Sequence, residues 1–200
     1  MRITFLGGAD EVGASSLLIE IGGKRLLIDA GIRPSPKARW GLRGDQLPHL
    51  DAIDSPDAIL VTHAHTDHTG ALELVVGPYP HCPVYATPPT IALTRVLHAD
   101  ARRIMQSRLD EEGELPLFDD VAVEKLLSAL TPIEFHARLP LGENLSATFF
   151  PAGHIAGAAM IGGISYFHTH AYDLMAENER ITASTFDAAI WAFQNRRLGK

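Results

Sequence analysis

The segment "VTHAHTDHTG", residues 61–70, places His63, His65, Asp67 and His68 within six positions. Neutral imidazole and carboxylate suit zinc, and they also accept manganese or iron, so the types point to a divalent transition metal. Thiolate ligation is excluded, because Cys82 is the only cysteine. His63 and His65 are two apart and project to the same side of extended backbone, while Asp67 and His68 follow at a turn, so one short segment can face two neighbouring metal positions. A metal held by a single segment would be poorly shaped, and further ligands must come from elsewhere. His154, in "PAGHIAGAA", is the best placed: it follows the apolar run "ATFF" and is flanked by Gly153 and Gly157, which let backbone approach a neighbour closely. A lone histidine is ordinarily a satisfied polar residue, and it is the cluster that gives this one meaning.

The elements that must position these groups are short. "RITFL", "SSLLIEI" and "KRLLIDAG" read as strands, the last two joined by a Gly22-Gly23 hairpin. The proline-rich stretch 31–57 reads as a loop with one short helical turn. "AILVTH" is a buried strand that runs into the cluster, and "TDHTGALELVV" a helix with Thr66 or Asp67 as its N-cap. "CPVYAT" is the next strand. Thr90 to Leu109 is predicted helical, with Ile91, Leu93, Val96, Leu97, Ile104 and Met105 on or near one face, and a second helix is expected around Asp120 to Leu130. "IEFHARLPL" and "LSATFFPAGH" read as strands, the second ending at His154. The last stretch has Ser184 and Asp187 at capping-box spacing, Phe186, Ala189, Ile190 and Phe193 at helical spacing, and Arg196, Arg197 and Lys200 at its end, the pattern of an amphipathic helix.

Two hundred residues suffice for one domain with a real core. The net charge of −7 and the absence of a Lys/Arg block argue against unaided binding to a phosphate backbone. A lone cysteine, no apolar run of membrane-spanning length and no signal-peptide pattern make a cytoplasmic location the expectation.

"THAHTDHTG" resembles the T-H-x-H-x-D-H-x-G signature of the metallo-β-lactamase superfamily, whose members build a one- or two-metal hydrolytic site between two β-sheets. "LGGADEVGASSLLIEIGGKRLLIDAG" is similar to the opening strands of its β-CASP ribonuclease branch, the RNA-processing and polyadenylation-type nucleases. "TPPTIALTRVLHADARRI" resembles the branch's helical segment after the fourth or fifth strand, and "PAGHIAGAAMI" its third-histidine motif. The resemblance implies an α/β fold of the αββα sandwich type, incomplete at the C-terminal end. It covers residues 1–163 as a partial metallo-β-lactamase domain, followed by a divergent tail, 164–200, with the β-CASP domain absent.

The same resemblance implies roles. His63, His65 and His154 would hold a first zinc. Asp67 and His68 would hold a second and form the catalytic pair, and Asp29 in "IDAG" would fix a ligand rather than bind metal. A hydroxide activated by the two metals would attack phosphorus in RNA. The family's bridging aspartate falls nearest Asp173, nineteen positions past His154, but "ISYFHTHAYD" lacks the expected threonine and glycine, and His168 and His170 compete with it. The second site is therefore expected to be the weaker, with manganese an alternative to zinc. A sandwich lacking its last strands leaves an open sheet edge, which a partner, a second copy or the terminal helix would cover. Three functions compete: a metal-dependent RNA phosphodiesterase, a hydrolase of small esters, thioesters or lactones on the same fold, and a non-catalytic remnant that acts through a partner.

Overall fold

Ile59 and Leu60 are adjacent in the chain and both wholly buried, which a strand allows only when both of its faces are covered. The structure, a computed structural model, describes residues 1–9, 11–34 and 46–162. Ile59 and Leu60 lie on β4 (Ala58–Leu60), inside a six-stranded sheet of order β1-β2-β3-β4-β5-β6. β1 (Arg2–Gly7), β2 (Ser16–Ile21) and β3 (Lys24–Ile28) form the expected antiparallel meander, with Ile21 opposite Lys24 across the Gly22-Gly23 turn. β3, β4, β5 (Val84–Ala86) and β6 (Leu130–Pro132) run parallel. A second sheet, β7-β8-β9, is built from Arg138–Gly142, Leu145–Pro151 and Ala159–Gly162.

Side-chain alternation turns these strands into layers. Ile59, Val61 and Val84 face Leu72, Val75, Val76 and Leu126 of the helices, while Leu60 faces Leu139, Ala147, Phe149 and Ala159 of the second sheet. The described residues thus supply helices, sheet and sheet of the expected sandwich. The residues through Ile161 form one compact unit. The expected terminal helix and residues Asp173, His168 and His170 lie outside the described residues.

Four helices are described: α1 (Thr66–Thr69), α2 (Leu72–Val76), α3 (Pro88–Glu112) and α4 (Asp120–Ala129). The helix expected across "TDHTGALELVV" is divided in two. The Ala71 N–H donates to the Ala30 carbonyl instead of continuing the helix, and the Asp67 carbonyl accepts from Ser15 N–H. Neither Thr66 nor Asp67 is the N-cap of α1; His65 holds that position, with no side-chain cap. The expected short turn in the long loop is the 3₁₀ segment Leu50–Ala52.

α3 opens as its sequence directs. Thr87 caps it, accepting from Thr90 N–H, Pro88 sits in its first turn, and Gly113 closes it in the left-handed region. Its orientation departs from the expected apolar face. Leu93, Val96 and Ile104 are exposed, whereas Thr90, Thr94 and His98 are buried. The tertiary surroundings override the apolar pattern because the buried face of this helix meets polar groups: Glu73, the Thr69 hydroxyl and the Gly157 carbonyl.

Candidate metal centre

The cluster segment leaves β4 at Leu60 and is held in place by backbone. Ile32, Ser15 and Ala30 donate N–H bonds to the carbonyls of Thr66, Asp67 and His68, at 3.0, 3.0 and 2.9 Å. These donors come from the loops after β1 and β3, so two neighbouring strand ends fix one turn. Gly31 is required there, because a Cβ at this position would overlap the Asp67 carbonyl. From the other sheet, Ala159 N–H donates to the Thr62 carbonyl at 2.8 Å, tying the start of β9 to the same segment.

Three imidazole nitrogens converge. His63 Nε2 lies 3.2 Å from His65 Nδ1, and His154 Nε2 lies 3.3 Å from the same atom. All three nitrogens fall within 4.8 Å of one another. Ligands about 2.0–2.1 Å from a tetrahedral ion stand about 3.3–3.4 Å apart, so the two short separations are those of tetrahedron edges. No carboxylate lies in this group of three, which makes it a set of neutral nitrogen donors suited to zinc. His63 is buried, His65 half-buried and His154 exposed. The site therefore has a closed inner side and an open outer one.

The hydrogen-bond partners assign the tautomer of His63. Thr62 Oγ donates to Asp29 Oδ2 at 2.7 Å and is 3.1 Å from His63 Nδ1. With its one proton given to Asp29, the hydroxyl can only accept from Nδ1–H, which leaves the Nε2 lone pair facing the cluster. Burial, joined by His68, His65 and His154, pushes the His63 pKa down to about 4, so the ring is neutral at pH 7.

Asp29 is 4% exposed and adopts a positive φ of 60°. That conformation is uncommon outside glycine, although aspartate tolerates it better than most residues. It turns the carboxylate into the site. Oδ1 accepts from Thr62 N–H at 2.7 Å, and Oδ2 lies 2.7 Å from His68 Nδ1. Nδ1–H of His68 is thereby committed to Asp29, and its Nε2 faces Asp67, 3.8 Å from Oδ2. Burial alone would lower the His68 pKa, but the Asp29 hydrogen bond and the charges of Asp29 and Asp67 outweigh it and leave it raised. Asp67 and His68 thus stand beside the three-histidine group, with the His63 and His68 rings 4.1 Å apart.

His154 sits in the loop between β8 and β9 and not at a strand end; β8 stops at Pro151, whose missing N–H cannot continue the ladder. The two neighbouring glycines differ in role. A Cβ on Gly153 would meet nothing, whereas one on Gly157 would come within 2.6 Å of Thr87 Oγ and Thr90 N. The Gly157 carbonyl accepts from both hydroxyls, at 2.7 Å from Thr87 and 3.0 Å from Thr90. Sequence reasoning did not find Thr62, Thr87 or Thr90. The capping pattern "TPPT" marks a helix start, but nothing in it signals what else these hydroxyls hold.

This fold, with three histidines at the edge between two sheets, defines the class. The chain belongs to the Metallo-beta-lactamase superfamily, whose profile matches residues 9–141. Among curated relatives it is 37% identical over 162 residues to Ribonuclease TTHA0252 of Thermus thermophilus, covering 80% of this chain and 34% of that protein. It is 33% identical over 168 residues to Transcription termination factor FttA of Methanosarcina mazei, covering 84% and 25%. It is 28% identical over 187 residues to Integrator complex subunit 11 of Danio rerio, covering 87% and 30%. The chain therefore spans about a quarter to a third of these relatives' length. Among solved structures, an archaeal metallo-β-lactamase superfamily protein from Sulfolobus tokodaii superposes with a TM-score of 0.51 at 18% identity, over 80% of this chain and 59% of that one. At that identity the likeness is one of fold. No helix among the described residues is long and apolar enough to cross a membrane.

Proposed function

We propose that this chain carries the metal-binding part of a β-CASP-type phosphodiesterase that cleaves RNA, working in the cytoplasm with zinc, or manganese in its place. The observation that carries this reading is the convergence of His63 Nε2, His65 Nδ1 and His154 Nε2, two of whose separations are those of tetrahedron edges, in a chain whose relatives include a protein named as a ribonuclease. His63, His65 and His154 would hold the first ion. Asp67 and His68 would hold the second, with Asp173 as their partner in the tail. A bound divalent ion supplies Lewis acidity that neutralises charge on a phosphoryl group and lowers the pKa of water.

The protein's own groups prepare that chemistry. Thr62 fixes the His63 tautomer, and Asp29 fixes the His68 ring so that its Nε2 stays directed toward Asp67. The catalytic part proposed for Asp67 and His68 is to hold the second ion beside the first. The exposed face of His154 leaves an approach for an extended strand.

The test is cleavage of a labelled single-stranded RNA by the metal-loaded chain. Cleavage that chelation stops and that His65→Ala abolishes is the expected result. A chain that binds zinc but leaves RNA intact while hydrolysing a thioester or lactone would replace this reading with the small-substrate one.

A further inference from the structure

α3 buries a polar stripe. Thr90, Thr94 and His98 are at most 1% exposed, while Val96 and Ile104 on the same helix are 66% and 48% exposed. Hiding an ionisable pair costs several kcal/mol per ion unless the geometry compensates, so the arrangement around His98 calls for an explanation. His98 Nδ1 meets Oε1 of Glu73 on α2, and its Nε2 lies 3.2 Å from Thr69 Oγ on α1. Thr69 Oγ in turn lies 3.1 Å from the His65 carbonyl and 3.2 Å from the Ala64 carbonyl.

Proton counting gives the chain a direction. Carbonyl oxygens only accept, so the single Thr69 proton goes to them, and Nε2–H of His98 must donate to Thr69. The remaining proton lies between His98 Nδ1 and Glu73 Oε1. Thr69 is wholly buried and cannot serve as a nucleophile. The network instead ends on the backbone of His65, the residue whose Nδ1 faces both other histidines. Glu73 keeps its second oxygen, Oε2, buried without a hydrogen-bond partner.

We propose that Glu73, His98 and Thr69 form a positioning relay that holds the backbone of His65, and with it the metal-binding imidazole, in register. Thr90, about two turns before His98 on the same buried face, and the capping Thr87, about a turn before that, hold the His154 loop through the Gly157 carbonyl. α3 thereby sets the separation of the two ligand-bearing segments. This role rests on the metal-centre reading above.

The experiment measures affinity of the full chain for zinc by competition with a chromophoric chelator, the visible spectrum of the cobalt-loaded chain, and thermal unfolding without metal. Two variants are compared: Thr69→Val, which replaces one hydroxyl by one methyl, and the double variant Glu73→Leu/His98→Leu, which removes both ionisable groups and refills the core. Both are expected to lose affinity by about ten- to a hundredfold and to shift the cobalt spectrum, as removal of outer hydrogen-bond partners does at metal sites. The double variant does so without loss of thermal stability, which separates positioning from packing. Wild-type affinity and spectrum in folded variants overturn the relay and leave the metal centre standing. A wild-type chain that binds no metal removes the metal centre, and the relay with it. If the double variant does not fold, Thr69→Val decides alone.

Discussion

Asp29 commits both carboxylate oxygens to three donors: Thr62 N–H, Thr62 Oγ and His68 Nδ1. Asp29→Ala leaves those half-buried donors without their acceptor, at up to about 1–3 kcal/mol for each group that solvent does not reach. The urea midpoint of the metal-free chain should fall accordingly, and an unchanged midpoint would show that solvent replaces the carboxylate. His63 makes a prediction in pH. Its pKa is depressed from 6.5 to about 4 by burial and then by its neighbouring imidazoles, so the unfolded chain takes up the proton first. Its contribution to stability is therefore full above pH 6.5 and is lost as pH falls toward 4. His68 works in the opposite sense. Its raised value contributes stability at low pH that disappears as pH rises through it. The metal-free His63→Gln variant should lose less stability than the wild type between pH 6.5 and 4; parallel urea-midpoint curves would contradict this. Cys82 is a simpler case: burial pushes its thiol up to about 12, so iodoacetamide should label it only after unfolding.

At the scale of elements, the His154 loop depends on α3 through one glycine. Gly157 has φ of 81°, and a Cβ there would press on Thr87 Oγ and Thr90 N. Gly157→Ala should cost about 1–2 kcal/mol from the left-handed backbone alone. It should also weaken zinc binding more than Gly153→Ala, because only the former collides with α3; equal affinities would show that the loop relaxes freely. Sequence pattern revealed the parts of this arrangement that lie close together in the chain. The four ligand-type residues occupy one segment, and the meander declares itself by apolar runs and a Gly-Gly turn. The short strands β6 and β9 were not legible, since three or four residues carry no periodicity and β6 includes Pro132. The buried face of α3 was not legible either. Its Leu93, Val96 and Ile104 imitate a core stripe, while the residues that are buried are threonines and a histidine whose partners come from α1, α2 and a loop beyond β8. Partners that distant in sequence leave no local signal.

For the whole molecule, charge decides how the proposed RNA substrate can be held. The net charge is −7, and several of the described cations are paired with carboxylates: Lys24 with Asp57, Arg25 with Asp54, Arg33 with Glu11 and Arg102 with Asp120. Such exposed pairs add little stability, yet each reduces the positive charge offered to a phosphate. A protein that grips single-stranded RNA through six to ten phosphate contacts loses about 10²–10⁴ in affinity between about 50 and 200 mM salt, because counterion release drives binding less as salt rises. The net negative charge predicts a different behaviour here. Binding of a fluorescent single-stranded RNA should require the divalent ion, vanish with chelator, and weaken across that salt range by much less than those factors. Fluorescence anisotropy with zinc or manganese checks all three. Tight, chelator-resistant binding with a steep salt slope would mean that a cationic surface outside the described residues does the holding, and that the three histidines act only after the strand is captured elsewhere.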